Sequence, residues 1–263
     1  MKTRIITGII AMGLFIPIVV YGGLPLSILL YVAGTIGLYE LLRMKNIHMY
    51  SIPSILSILL LWITLIPGAY VHILDTIGFS KTELTFIIIL LLLTYTVISK
   101  NKFTFDDSAF LLLATMYVGM GFYYFLETRE EGLMYIFFTL LVIWSTDSGA
   151  YFIGKSIGKK KLWPEISPNK TVEGFLGGIA SAIVAGVIFQ VFDLLPVSFG
   201  VIIVTAMAVS IFGQLGDLVE SAFKRHYDVK DSGKILPGHG GVLDRFDSLL
   251  FALPILHFLH LMF

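Results

Sequence analysis

Nine stretches of this chain are apolar over most of the roughly 20 residues that a bilayer-crossing helix requires. They cover residues 5–22, 24–41, 52–70, 84–99, 108–126, 132–154, 173–193, 197–220 and 246–262. In hydrocarbon, every backbone amide must be satisfied within a helix or around a closed barrel. A barrel needs segments of about ten residues that alternate in polarity, and runs such as Phe86–Leu93 (FIIILLLL) do not alternate. The expectation is an all-α, polytopic integral membrane protein with about nine transmembrane helices. Composition agrees: 57% of residues are hydrophobic and only 14% charged, where soluble domains carry about 25%. Eighteen basic residues balance eighteen acidic ones, which argues against a nucleic-acid partner. Without cysteine there is no disulfide framework, thiolate nucleophile or Cys-ligated metal.

Basic residues give the orientation. With the N-terminus counted as connection zero, the even connections hold Lys2, Arg4, Arg43, Lys45, Lys100, Lys102, Lys155, Lys159, Lys160, Lys161, Lys170, Lys224, Arg225, Lys230, Lys234 and Arg245. The odd side has only Lys81 and Arg129. The positive-inside rule places the even side, and so the N-terminus, in the cytoplasm and the C-terminus outside. Lys2 and Arg4 before an apolar run imitate a signal peptide, but no small-residue cleavage site follows, so a retained first helix is expected. Polarity is uneven along the chain. Residues 1–131 read as a membrane scaffold half of about five helices. There Glu40 reads as an interfacial acid and His48 and His72 as loop residues. Residues 132–263 read as a catalytic half of about four helices, with both long cytoplasmic loops and the intramembrane acids.

Gly149–Ser156 (GAYFIGKS) matches a phosphate-loop pattern, but a membrane helix precedes it and bulky residues fill the space between its glycines, so a nucleotide loop is not expected. Gly174, Gly178, Ala182 and Gly186 form a four-residue stripe suited to close helix packing. The acids are costlier to place. Asp147, Asp217, Glu220, Asp244 and Asp247 lie in or beside the sixth, eighth and ninth spans, and each carboxylate at mid-membrane costs about 2.5–3.5 kcal/mol on insertion scales. Asp217, Ser221 and Lys224 share one helical face, as do Asp244 and Asp247. Facing carboxylates suit a hard divalent cation, Mg²⁺ above all, which takes one or two of them and leaves room for phosphate. Asp217, Asp244 and Asp247 are the expected ligands, with Asp147 a further candidate and Glu220 a helix-end residue. Pairing of these acids with Lys224, Arg225 and Arg245 is the structural alternative.

Two loops read as anion sites. Ser221–Asp247 combines five cations with glycine-bearing backbone around His239, including Gly238, Gly240 and Gly241, which suits a polyphosphate with its metal. In Gly158–Gly174, Lys159–Lys161 suit anionic lipid headgroups. Ser167, Lys170 and Thr171, before a helix restarting near Glu173, offer a second anion site.

The 27 residues Ser221–Asp247 resemble the signature of the phosphatidate cytidylyltransferase, or CDP-diacylglycerol synthase, family. The fixed positions are Ser221, Lys224, Arg225, Lys230, Asp231, Gly233, Pro237, His239, Gly240, Gly241, Asp244, Arg245 and Asp247. The STDSGAY and SPNKTVEG segments are similar to the family's second motif, so the likeness by motif covers residues 144–247. The resemblance implies that phosphatidic acid and CTP give CDP-diacylglycerol and pyrophosphate with Mg²⁺, in a helical and dimeric fold. For that reaction, catalysis is expected of Asp217, Lys224, Arg225, Asp244 and Asp247, and substrate binding of Ser167, Lys170, Ser221, His239, Gly240, Gly241 and Arg245. A second cation beside Mg²⁺ is compatible with it. The expected home is the inner membrane of a bacterium, with the site near its cytoplasmic face, where CTP and a membrane-held lipid can meet. Competing readings are a related CTP-dependent lipid enzyme (a polyprenol kinase or a CDP-archaeol synthase), a cation transporter and a structural scaffold.

Overall fold

The computed structural model describes residues 2–76 and 78–260, and its regular structure is nearly all helical. Among the described residues, ten α-helices run in the order α1 (Lys2–Tyr21), α2 (Gly23–Met44), α3 (Ile52–Thr64), α4 (His72–Asp75), α5 (Lys81–Ile98), α6 (Phe105–Glu131), α7 (Leu133–Ile157), α8 (Val172–Val191), α9 (Phe199–His226) and α10 (Leu243–His260). Between α7 and α8 lies a two-stranded antiparallel sheet of β1 (Lys161–Trp163) and β2 (Ser167–Thr171).

Among the described residues, six helices are long and apolar enough to cross a membrane: α2, α5, α6, α7, α8 and α9. α3 and the Gly68–Leu74 segment make a seventh candidate only as a pair bent by 98°. The expected span over residues 52–70 is therefore interrupted, and Pro67 explains the break. It lacks an amide for the ladder and pushes Ile66 out of the helical region. The Lys81 ammonium then bonds the carbonyls of Thr64 and Ile66 that the break frees. The apolar described part of α1, Ile6–Tyr21, is shorter than a full span. α10 opens with Asp244, Arg245 and Asp247, and residues 261 and 262 of the ninth expected span lie outside the described residues. On α5, Phe86, Leu90, Leu91, Val97 and Ile98 are exposed, an apolar surface that requires lipid rather than water around it.

The chain clusters into two compact units. The first holds Met1–Glu127 together with Ser232–Val242. Leu38, Leu41 and Leu42 of α2, Leu60 and Leu61 of α3, and Phe122 and Phe125 of α6 are fully buried there. At the α2 end, Lys45 pairs with Asp107 at 3.1 Å and lies over the Phe110 ring.

The second unit holds Thr128–Asp231 and Leu243–Phe263. Its most extensive packing is α7 against α8, followed by α9 against α10. The glycine stripe is buried: Gly178 faces Thr146 of α7 and Gln214 of α9, and Gly186 faces Ala206 of α9. The phosphate-loop lookalike is uninterrupted helix within α7, and its first glycine serves packing. A Cβ on Gly149 would lie 2.6 Å from Ser181 Cβ and 3.0 Å from the Gly177 carbonyl. At an exposed helical site, Gly→Ala gains about 0.5–1 kcal/mol. Here Gly149→Ala is expected to cost about 1–3 kcal/mol through overpacking. The check is the unfolding temperature in detergent, and an unchanged or raised value would disprove the tight α7–α8 contact.

The segment expected as a loop, Gly158–Gly174, contains the hairpin. Lys161 pairs with Thr171 and Trp163 with Ser167. The hairpin runs straight into α8, where Thr171 caps the helix by accepting from the Gly174 amide at 3.1 Å. Glu173 accepts from the Lys160 amide at 3.2 Å, which ties the two ends of the hairpin together.

Candidate active site

A charged side chain inside an apolar bundle needs a partner of opposite charge or a full set of hydrogen bonds. In the second unit, small residues create the room for this. A Cβ on Gly216 would meet the Asp247 carbonyl and Phe251 Cβ, so this glycine lets α10 lie close to α9. Two charged groups result.

The first is open. Lys170 at the end of β2 donates to Asp217 Oδ2 at 2.6 Å, and Ser221, one turn along α9, donates to Asp217 Oδ1 at 3.3 Å. The two charged side chains are 29% and 34% exposed. Asp147 of α7 lies within electrostatic reach of Asp217 and Lys170. The second group is closed. Lys224 Nζ sits 2.7 Å from both Glu220 Oε2 and Asp244 Oδ1, and those side chains are 0% and 7% exposed. Glu220 is therefore no helix-end residue. α9 continues to His226, which buries Glu220 and sets it one turn before its cation. Asp247 joins the groups electrostatically: its neighbours include Asp217, Asp147 and Lys224, and its Oδ1 accepts from the Ser248 amide at 2.7 Å.

The other expected residues divide. Arg225 turns its guanidinium to backbone, donating to the carbonyls of Ile166 at 3.3 Å and Val229 at 3.4 Å, and so holds the turn before β2. Ser167 opens β2 and Arg245 is exposed in the first turn of α10. His239, Gly240 and Gly241 belong to the first unit. There the Leu236 amide donates to the Gly240 carbonyl and the His239 amide to Leu236, closing a tight turn. Gly238 at φ 76° and Gly240 at φ 85° take left-handed backbone that glycine adopts without strain.

Glu40 is the residue that sequence reasoning misplaced. Read from the sequence as an interfacial acid, it is 1% exposed and answered by protein groups, accepting from Ser232 Oγ at 2.8 Å and from the Val242 amide at 2.9 Å. The signal available was its cost alone: an acid in an apolar helix must be answered somewhere.

The donor chemistry of the second unit suits a hard cation. Five carboxylates (Asp147, Asp217, Glu220, Asp244 and Asp247) gather around the ammonium groups of Lys170 and Lys224. Among the described residues no three His, Asp or Glu side chains share one ligand shell. Mg²⁺ does not need three, since it takes one or two carboxylates and completes its octahedron with water and phosphate oxygens.

Helices that need lipid, together with a dense group of acids and lysines in the second unit, define an integral membrane protein with a charged centre between its helices. The particular family follows from comparison. Residues 2–263 match the cytidylyltransferase family, and the chain belongs to it. It is 56% identical over 266 residues to the phosphatidate cytidylyltransferase of Bacillus subtilis strain 168, across 100% of this chain and 98% of the relative. It is 50% identical over 262 residues to that of Staphylococcus epidermidis, and 48% identical over 262 residues to that of Staphylococcus aureus strain COL, each across 98% of both chains.

Proposed function

We propose that this chain transfers the cytidylyl group of CTP to phosphatidic acid, giving CDP-diacylglycerol and pyrophosphate for phospholipid biosynthesis. One observation carries the reading. The carboxylates and lysine that α9 and α10 contribute to the signature meet in one unit, in a chain 56% identical over its whole length to a phosphatidate cytidylyltransferase.

A phosphate oxygen of phosphatidic acid attacks the α-phosphorus of CTP. The new P–O bond forms as the bond from the α-phosphorus to the bridging oxygen breaks, and pyrophosphate leaves with that electron pair. Two polyanions must approach, so charge neutralisation and alignment supply most of the catalysis. Asp217, Asp244 and Asp247, with Asp147 as a further candidate, would hold Mg²⁺, which supplies phosphate neutralisation and a template when bound. Lys224 and Arg225 act on phosphates, Arg225 through the guanidinium N–H groups that its bonds to the Ile166 and Val229 carbonyls leave over. Lys170, Ser167, Ser221, Arg245 and the His239, Gly240 and Gly241 backbone complete substrate binding.

The reading includes nine spans with a cytoplasmic N-terminus and an outward C-terminus. Residues 1–131 form a scaffold half and residues 132–263 a catalytic half. The working form is a homodimer in a bacterial inner membrane, with the site near the cytoplasmic face.

The test is purified protein with labelled CTP and phosphatidic acid. CDP-diacylglycerol and pyrophosphate are expected in equal amounts, silenced by EDTA and restored by Mg²⁺. Product only with a polyprenol or an archaeal ether-lipid acceptor would reassign the substrate. Full turnover in EDTA would remove the metal.

A further inference from the structure

Glu40 lies far along the chain from the signature, yet its carboxylate holds part of it. Ser232 Oγ and the Val242 amide, which both donate to it, stand at the two ends of the segment Ser232–Val242. The same carboxylate fills the space where side chains at Gly233 and Gly241 would project, since a Cβ on either would collide with Glu40 Oε1. One buried acid of α2 thus closes the base of a loop, while the Leu236–Gly240 bridge closes its tip. His239 sits at that tip, beside Gly8 of α1.

A buried carboxylate is expensive unless it is fully hydrogen-bonded, and a hydrophobic residue of similar size would be cheaper if packing were the only need. What the acid provides is a fixed geometry for a loop otherwise rich in glycine, whose backbone freedom is the largest of any residue. We infer that Glu40 is a positioning residue: by clasping Ser232 and Val242 it sets the placement of His239, Gly240 and Gly241 for the phosphates of CTP. The inference rests on the function proposed above, because it needs that loop to handle the nucleotide.

The test uses the full-length protein in detergent with phosphatidic acid, comparing wild type with Glu40→Gln, Glu40→Asp and Ser232→Ala. Losing a hydrogen bond to a charged group is expected to raise the KM for CTP about tenfold in Glu40→Gln, with the KM for phosphatidic acid nearly unchanged. Glu40→Asp keeps the charge and should recover part of the loss, and Ser232→Ala, which removes one donor, should show a smaller effect of the same kind. Hydrogen exchange gives a second readout: amides of residues 233–242 should exchange at least about tenfold faster in Glu40→Gln, with those of α9 unchanged. A variant whose loop amides are no faster overturns the clasp. Faster amides with an unchanged KM for CTP overturn the positioning role. A wild-type protein that makes no CDP-diacylglycerol refutes the proposed function, and the exchange readout would still report on the clasp.

Discussion

Asp217→Asn is expected to lower kcat by a factor on the order of 10³, with the protein folding normally. The asparagine keeps the size and much of the hydrogen bonding of the original, because Ser221 can still donate to its amide oxygen. What disappears is the negative charge facing Lys170 at 2.6 Å, in the open group that also includes Asp147. Both partners are about a third exposed, and ion pairs this accessible contribute about 0–1 kcal/mol to stability. The unfolding temperature should therefore hardly move while turnover collapses. That split separates this carboxylate from a structural one. The measurement is CDP-diacylglycerol formation beside thermal unfolding in detergent. Activity within tenfold of wild type would remove Asp217 from the chemistry, and a large drop in stability with proportionate loss of activity would make it a packing residue.

The helical architecture is legible because lipid leaves a segment few choices: six of the nine expected stretches correspond to helices long and apolar enough to span. The interruption after α3 is also written locally, in Ile66, Pro67 and Gly68, although Pro17 and Pro254 lie inside continuous helices. Proline lowers the cost of a break without compelling one; at Pro67 a glycine follows, and Lys81 is there to satisfy the exposed carbonyls. The hairpin is not legible. Its second strand, SPNKT, contains a proline and has no alternation. It is held by pairing with Trp163 and Lys161 and by the cap of α8.

At the site, helical spacing predicts what one helix presents: Ser221 does bond Asp217, while Lys224, expected on that same face, pairs with Glu220 one turn before it. It does not predict which cation answers which acid. Lys170 reaches Asp217 from 47 residues away, and Arg225, a cation expected to be bare for phosphate, turns to backbone carbonyls. Glu40 is the extreme case, with partners 192 and 202 residues distant. A lone acid near the end of an apolar helix has no local feature that distinguishes a wet interface from a buried clasp.

Lys224→Met should be the most destabilising of these substitutions. Its ammonium lies 2.7 Å from two carboxylates that are almost completely buried. Methionine retains the stem and removes the charge that lies between Glu220 and Asp244. Breaking a buried ion pair in this way costs about 3–5 kcal/mol, against a typical net stability of about 5–15 kcal/mol. A marked fall in unfolding temperature, or loss of recoverable protein, is expected. This effect comes before any on phosphate binding and would hide it, so the single variant cannot assign a role. A double-mutant cycle with Glu220→Gln can. Neutralising Glu220 removes one of the stranded charges, so Lys224→Met should cost at least about 1 kcal/mol less in that background; additive costs would mean that the pair is not the source of the instability. Turnover then decides the second role. If the double variant regains stability yet remains inactive while Glu220→Gln alone is active, Lys224 acts on substrate as well as on its neighbours. If the stabilised double variant turns over normally, its ammonium serves only to make two buried acids tolerable, and the phosphates must be held by other cations.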